Sequence, residues 1–146
     1  MKILIYSFDK FQNLKSNPAY EVAEDIVKRF NSEDVVLVKL PVTYGCWDIL
    51  RNKIDSFKPD FILGIGVAVG INRVRVEKIG INYKHANISD SEGKKEVVQK
   101  IDSSGDLAYE TEVDVVSSVE SLKNKGIPCD VSLISKGIFE LLNKDV

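Results

Sequence analysis

Few side chains in this chain are equipped for covalent or acid–base chemistry. It holds one histidine, His85, and two cysteines, Cys46 and Cys129. A thiol attacks a carbonyl only as an activated nucleophile, with a base beside it and a third group orienting the base. Cys46 or Cys129 paired with His85 would need a spatial adjacency that spacing along the chain does not reveal. Glu77, inside Arg73-Val74-Arg75-Val76-Glu77-Lys78, is a carboxylate that could orient an imidazole. The alternative is a solvated strand face whose ion pairs contribute about 0–1 kcal/mol each. No C-x-x-C or H-x-x-x-H cluster occurs, so neither a metal nor a cofactor is expected.

Two loops invite a ligand. Gly64-Ile65-Gly66-Val67-Ala68-Val69-Gly70 is rich in small residues. Its G-x-G-x-A-x-G spacing differs from the G-x-G-x-x-G of dinucleotide sites, and it follows a third strand rather than the first. Phe8 and Phe11 stand three residues apart after the first apolar run. They could form a flat slot for a planar ring, or simply pack as core, the commoner fate of aromatic side chains.

These residues hang on alternating strand and helix patterns, the signature of a parallel sheet covered by helices. The pattern predicts strands over Ile3 to Tyr6, Val35 to Leu40, Phe61 to Gly66 (a buried central strand) and Cys129 to Ile134. Helices are expected from Pro18 to Phe30, from Trp47 to Phe57 and over Val113 to Leu122, the last stopped by Gly126 and Pro128. Val74 and Val76 change phase to Ile79 and Ile81, which predicts a bulge or bend near Lys78. Residues 83 to 105 read as a long polar excursion, and 138 to 142 as barely one helical turn. In an open α/β sheet a ligand sits beyond the carboxyl ends of the strands, where the Phe8 and glycine loops both fall.

Composition sets the class. Of 146 residues, 44% are hydrophobic and 29% charged, with a net charge of −2, which suits one globular domain and leaves nucleic acid an unexpected partner. No apolar run approaches the ~18 residues of a membrane span, and the start does not read as a signal peptide. A cytoplasmic protein with reduced thiols is expected.

Taken in order, five blocks resemble the pyrrolidone carboxyl peptidase (pyroglutamyl peptidase I) family of cysteine peptidases. Ser7-Phe8-Asp9-Lys10-Phe11 followed by Asn17-Pro18 matches G-F-x-P-F then N-P, and Leu40-Pro41-Val42-Thr43-Tyr44-Gly45 matches L-P-V-x-[FY]-G. Gly64 to Gly70 matches G-x-G-x-A-x-G-R without its arginine, Ile71 standing there. Glu77-Lys78-Ile79-Gly80-Ile81-Asn82 matches E-R-x-A-x-N, and Asp102 to Thr111 echoes D-x-x-G-P-x-A-Y-x-T. The resemblance implies a three-layer α/β/α sandwich around a mostly parallel twisted sheet. It implies removal of N-terminal pyroglutamate from peptides, a ring pocket formed by Phe8 and Phe11 with Asn17 nearby, and Glu77 as the carboxylate that orients the catalytic histidine. It also implies a homo-oligomer.

The departures fall on the chemistry. The family's S-x-S-A-G-x-Y-x-C-N aligns with Val131 to Leu141, where Glu140 or Leu141 takes the place of the nucleophilic cysteine. Its histidine lies further on, beyond Val146, and Lys10 and Ser7 replace the proline and glycine beside Phe8. The expectation is a truncated, catalytically inactive homologue. Its alternative roles are a non-catalytic binder of a pyroglutamyl peptide or small planar ligand through Phe8, Phe11 and Asn17, or a subunit of an assembly.

Overall fold

The computed structural model describes residues 1–10, 15–85, 89–95 and 97–135. It divides into two compact units, Met1–Val67 with Ser89–Lys94, and Ala68–Ile88 with Lys95–Val146.

The first unit contains β1 (Ile3–Phe8), α1 (Pro18–Phe30), β2 (Val35–Leu40), α2 (Cys46–Phe57) and β3 (Phe61–Ile65). Its strands are all parallel in the order β2-β1-β3. Strand alternation sends successive side chains to opposite faces, and this sheet is apolar on both. Even-numbered Leu4, Val38 and Leu40 pack with Cys46 and Leu50 of α2, while odd-numbered Ile5 and Val35 pack with Ala23 of α1. The unit is therefore a three-layer α/β/α sandwich.

The helix limits follow local chemistry. Asn17 caps α1 with Pro18 behind it, and α1 and α2 end at Asn31 (φ 45°) and Lys58 (φ 52°), both left-handed. The central strand is β1 and not the one expected over Phe61 to Gly66. Among the described residues β3 pairs with β1 alone, and Ile62 is 41% exposed. An apolar run marks a strand but not its rank in the sheet. Here α1 covers the Phe61, Leu63 and Ile65 side, and Ile62 faces away from it. Gly64 lies in register with Tyr6, whose ring fills the space a Cβ would need.

The second unit contains β4 (Val74–Ile81), β5 (Tyr83–Lys84), β6 (Gln99–Lys100), β7 (Ala108–Glu110), α3 (Val115–Asn124) and β8 (Cys129–Ser135). β4 lies between β8, parallel to it, and β7, antiparallel to it, whereas β5 and β6 form a separate antiparallel pair. No residue is inserted at Lys78: the register with β8 is the same before and after it, from Val74↔Cys129 to Ile79↔Ile134. The phase change arises because Val76 is sheltered on one face of β4, and Ile79 and Ile81 on the other, further along.

Helix α3 starts at Val115 rather than Val113, because the Asp114 carboxylate caps it by accepting from Ser117 N at 3.1 Å. Gly126 follows with φ +76°, the left-handed stop expected of it. The excursion from 83 to 105 carries two short strands and is anchored by buried Asn82. That amide donates to the carbonyls of Asp102 (2.7 Å) and Asp106 (2.8 Å) and accepts from Asp102 N (2.8 Å). The helical turn expected over 138 to 142 lies outside the described residues.

Candidate functional site

The first unit's topology selects a location. Its strand order 2-1-3, with α1 and α2 on opposite faces, makes the carboxyl ends of β1 and β3 the switch point where ligands bind in doubly wound sheets. Phe8, Asp9, Ile65 and Gly66 fall there. Three buried polar side chains of this unit are spent on backbone groups, two at that end and one on the loop after β2.

Ser7, fully buried, donates its hydroxyl to the Ile65 carbonyl at 2.8 Å and joins β1 to β3. Asn17 accepts from Ala19 N at 3.0 Å and donates to the Phe8 and Asp9 carbonyls at 2.9 and 3.2 Å. Asp90 accepts from Tyr44 N (3.0 Å), Glu92 N (2.9 Å) and Lys94 N (2.9 Å). Burial pushes the Asp90 carboxyl up, but the donors from Tyr44, Lys94 and Glu92 together outweigh it and hold the group below the usual carboxylate range. At the rim, Lys39 reaches Asp9 at 3.0 Å and lies 4.7 Å above the Tyr20 ring. Lys39 and the Lys10 backbone N–H lower the Asp9 carboxyl.

The structure brings Phe8 and Asn17 together through the Phe8 carbonyl. The Phe8 side chain is half-buried against the Leu4, Val38, Leu40, Cys46 and Leu50 cluster, edge-on to Tyr6 at 6.3 Å. Both N–H groups of the Asn17 amide are already occupied, so its visible work is to hold the loop after β1 onto the start of α1. Phe11 lies outside the described residues, as do Glu140 and Leu141.

Glu77, His85 and Cys129 belong to the second unit. Glu77 is exposed on β4 in register with Ser132. Its charged neighbours pair elsewhere, Arg73 with Asp130 at 2.7 Å and Lys78 with Glu110 at 2.9 Å, and Glu77 forms no ion pair among the described residues. His85 is exposed just after β5.

Neither thiol is placed to attack. Cys46 is 2% exposed at the start of α2, and burial pushes its thiol up to about 11. Cys129 is 3% exposed and donates to the Val119 carbonyl at 3.3 Å. Both behave as buried structural cysteines. Among the described residues no group of three or more His, Cys, Asp or Glu could hold a metal ion, and no helix is long and apolar enough to cross a membrane.

Reasoning from sequence missed Ser7 and Asp90 as anchors. Asp90-Ser91-Glu92-Gly93 carries an Asx-turn signal, with Gly93 at φ +80°, but nothing local announces its tie to Tyr44, 46 residues away.

Parallel strands with helices on both faces define a doubly wound α/β protein, a class in which ligands bind beyond the carboxyl ends of the strands. Comparison gives the family. The family model for pyroglutamyl peptidase matches residues 1–142, and the chain belongs to that family. It is 38% identical over 135 residues to a pyrrolidone-carboxylate peptidase of Saccharolobus islandicus, covering 91% of this chain and 65% of that protein. It is 33% identical over 133 residues to one of Finegoldia magna, covering 90% of this chain and 62% of that protein. The chain thus spans less than two-thirds of the length of these relatives.

Two solved structures share the fold. A mutant pyrrolidone carboxyl peptidase from Pyrococcus furiosus superposes with a TM-score of 0.85 at 29% identity, covering 96% of this chain and 68% of that one. Pyroglutamyl peptidase I of Bacillus amyloliquefaciens gives 0.84 at 28% identity, covering 98% and 73%.

Proposed function

We propose that these 146 residues bind an N-terminal pyroglutamyl group, or a planar ring like it, without cleaving the peptide. The observation that carries this reading is the contrast between the two halves of the required chemistry. The frame at the carboxyl end of the sheet is held by Ser7 and Asn17 beside β1 and β3 and by Asp90 on the loop after β2. Both thiols are buried, burial pushes Cys46 up to about 11, and the family's nucleophile position holds Glu140 or Leu141.

Cysteine attack on the pyroglutamyl carbonyl, with proton transfer through histidine and hydrolysis of the acyl-enzyme, needs a thiolate at that position. Glu77 supplies only an orienting carboxylate. Triad enzymes that lose the nucleophile keep only the residual rate of binding and oxyanion stabilisation.

The test is fluorophore release from a pyroglutamyl amide, with Glu77→Gln and a thiol-blocking reagent as controls. The expected result is no turnover above background by folded protein. Turnover abolished by the reagent overturns the reading, because Cys46 or Cys129 would then be acting as nucleophile. Binding is read separately by titration with L-pyroglutamate, where ligand at 100 times its Kd adds about 2.7 kcal/mol of stability. Self-association is part of the same proposal, since Leu107 and Tyr109 are more than half exposed. A monomeric sedimentation profile at all concentrations refutes that part.

A further inference from the structure

We propose that Asp90 is a positioning residue for the ligand-binding end of the first unit, one that fixes the 41–45 loop beside Phe8; this rests on the binding reading above. The geometry separates two tasks between the two carboxylate oxygens. Oδ1 accepts from Glu92 N and Lys94 N, two and four residues on, and builds a local turn. Oδ2 accepts from Tyr44 N, 46 residues away in the chain.

The loop that Tyr44 belongs to is pinned at both ends to the surroundings of Phe8. Leu40 before it and Cys46 after it lie in the cluster against which the Phe8 ring packs. The Leu40 carbonyl also accepts from Asp9 N at 2.8 Å. A second tie, Ser91 N to the Val42 carbonyl at 3.0 Å, runs alongside the Asp90 contact. Thr43, Tyr44 and Asp90 are all 9% exposed or less, so the join is shielded from solvent, and the carboxylate accepts from backbone donors with the Lys94 charge adding to them. A buried ionised acceptor of this kind contributes more than a neutral one, and its loss leaves a buried N–H without a partner.

The division of labour permits a selective substitution. In Asp90→Asn, the amide oxygen keeps the local turn to Glu92 and Lys94, but the amide NH2 faces Tyr44 N as donor against donor. Amide hydrogen exchange and an L-pyroglutamate titration followed by NMR then read the two tasks apart. The expected result is exchange at Tyr44 faster by about tenfold or more, protection at Glu92 and Lys94 retained, and affinity for L-pyroglutamate weakened by about tenfold in protein that remains folded, its unfolding midpoint lowered by the lost bond. Faster exchange at Tyr44 with undiminished affinity overturns the inference, as does unchanged exchange.

Should the unsubstituted protein fail to bind L-pyroglutamate, the binding reading fails by itself. The Phe8 ring and Asn17 side-chain amide signals then decide: displaced in Asp90→Asn they support positioning, and undisplaced they refute it. If Asp90→Asn does not fold, Asp90→Ser carries the same comparison, because its hydroxyl serves the local turn but is too short to reach Tyr44.

Discussion

Replacing Asn17 by aspartate separates two roles that alanine would confound. Asn17 is 9% exposed, accepts from Ala19 N, and donates to the carbonyls of Phe8 and Asp9. Loss of the cap costs about 1 kcal/mol, and each of the two donated bonds contributes about 1 kcal/mol, the longer one less, so Asn17→Ala is expected to lose about 2–3 kcal/mol. In a chain of this size that lowers Tm by roughly 4–12 °C.

Asn17→Asp keeps the capping oxygen and adds a negative charge at a helix N-terminus, which by itself stabilises. Its second oxygen, however, meets two carbonyl oxygens with no proton between them. The expected result is a loss of about 2 kcal/mol at neutral pH, shrinking as the new carboxyl is protonated on acidification. Urea unfolding followed by fluorescence reads this directly, because Trp47, the one tryptophan in the chain, lies in α2 of the same unit. Stability of Asn17→Asp equal to or above that of the unsubstituted chain would refute the bridging role and leave Asn17 a helix cap alone.

Three further outcomes are expected. The Cys46 thiol should resist a thiol reagent until the first unit unfolds, and rapid labelling of native protein would contradict its burial. Because its folded value is raised from 9.0 to about 11, its stabilising contribution is complete below the unfolded value and is lost as pH climbs between the two. Cys46→Ala should therefore flatten that alkaline decline in unfolding midpoint. Gly64→Ala should destabilise by about 1–3 kcal/mol, because the new methyl meets the Tyr6 ring, and Tyr6→Leu in the same chain should restore part of it. A double-mutant cycle showing no coupling between the two positions would disprove that contact.

Much of the fold was legible because it rests on periods of 2 and 3.6 residues in apolar character. The Pro18–Phe30 and Val35–Leu40 elements stand where that reading put them, with Asn17, Pro18 and Pro41 as punctuation. Family membership was legible too, since five short blocks in one order are specific in a way that no single block is. Less of the site could be read. Phe8, Asn17 and Glu77 could be named from motifs, but types and spacing did not say that the Asn17 amide is fully occupied or that Glu77 is exposed.

The sequence by itself determined which elements form and which family they build, because both are written in local pattern or residue identity. Only the tertiary structure decided that β1 is the centre of its sheet, that no bulge interrupts β4 at Lys78, and that both cysteines are buried. It alone joined Asp90 to Tyr44 and Ser7 to Ile65. Most of those facts depend on pairings between residues 32 to 58 positions apart. Such pairings are set by which faces cover one another on folding, and no local period in the chain records them.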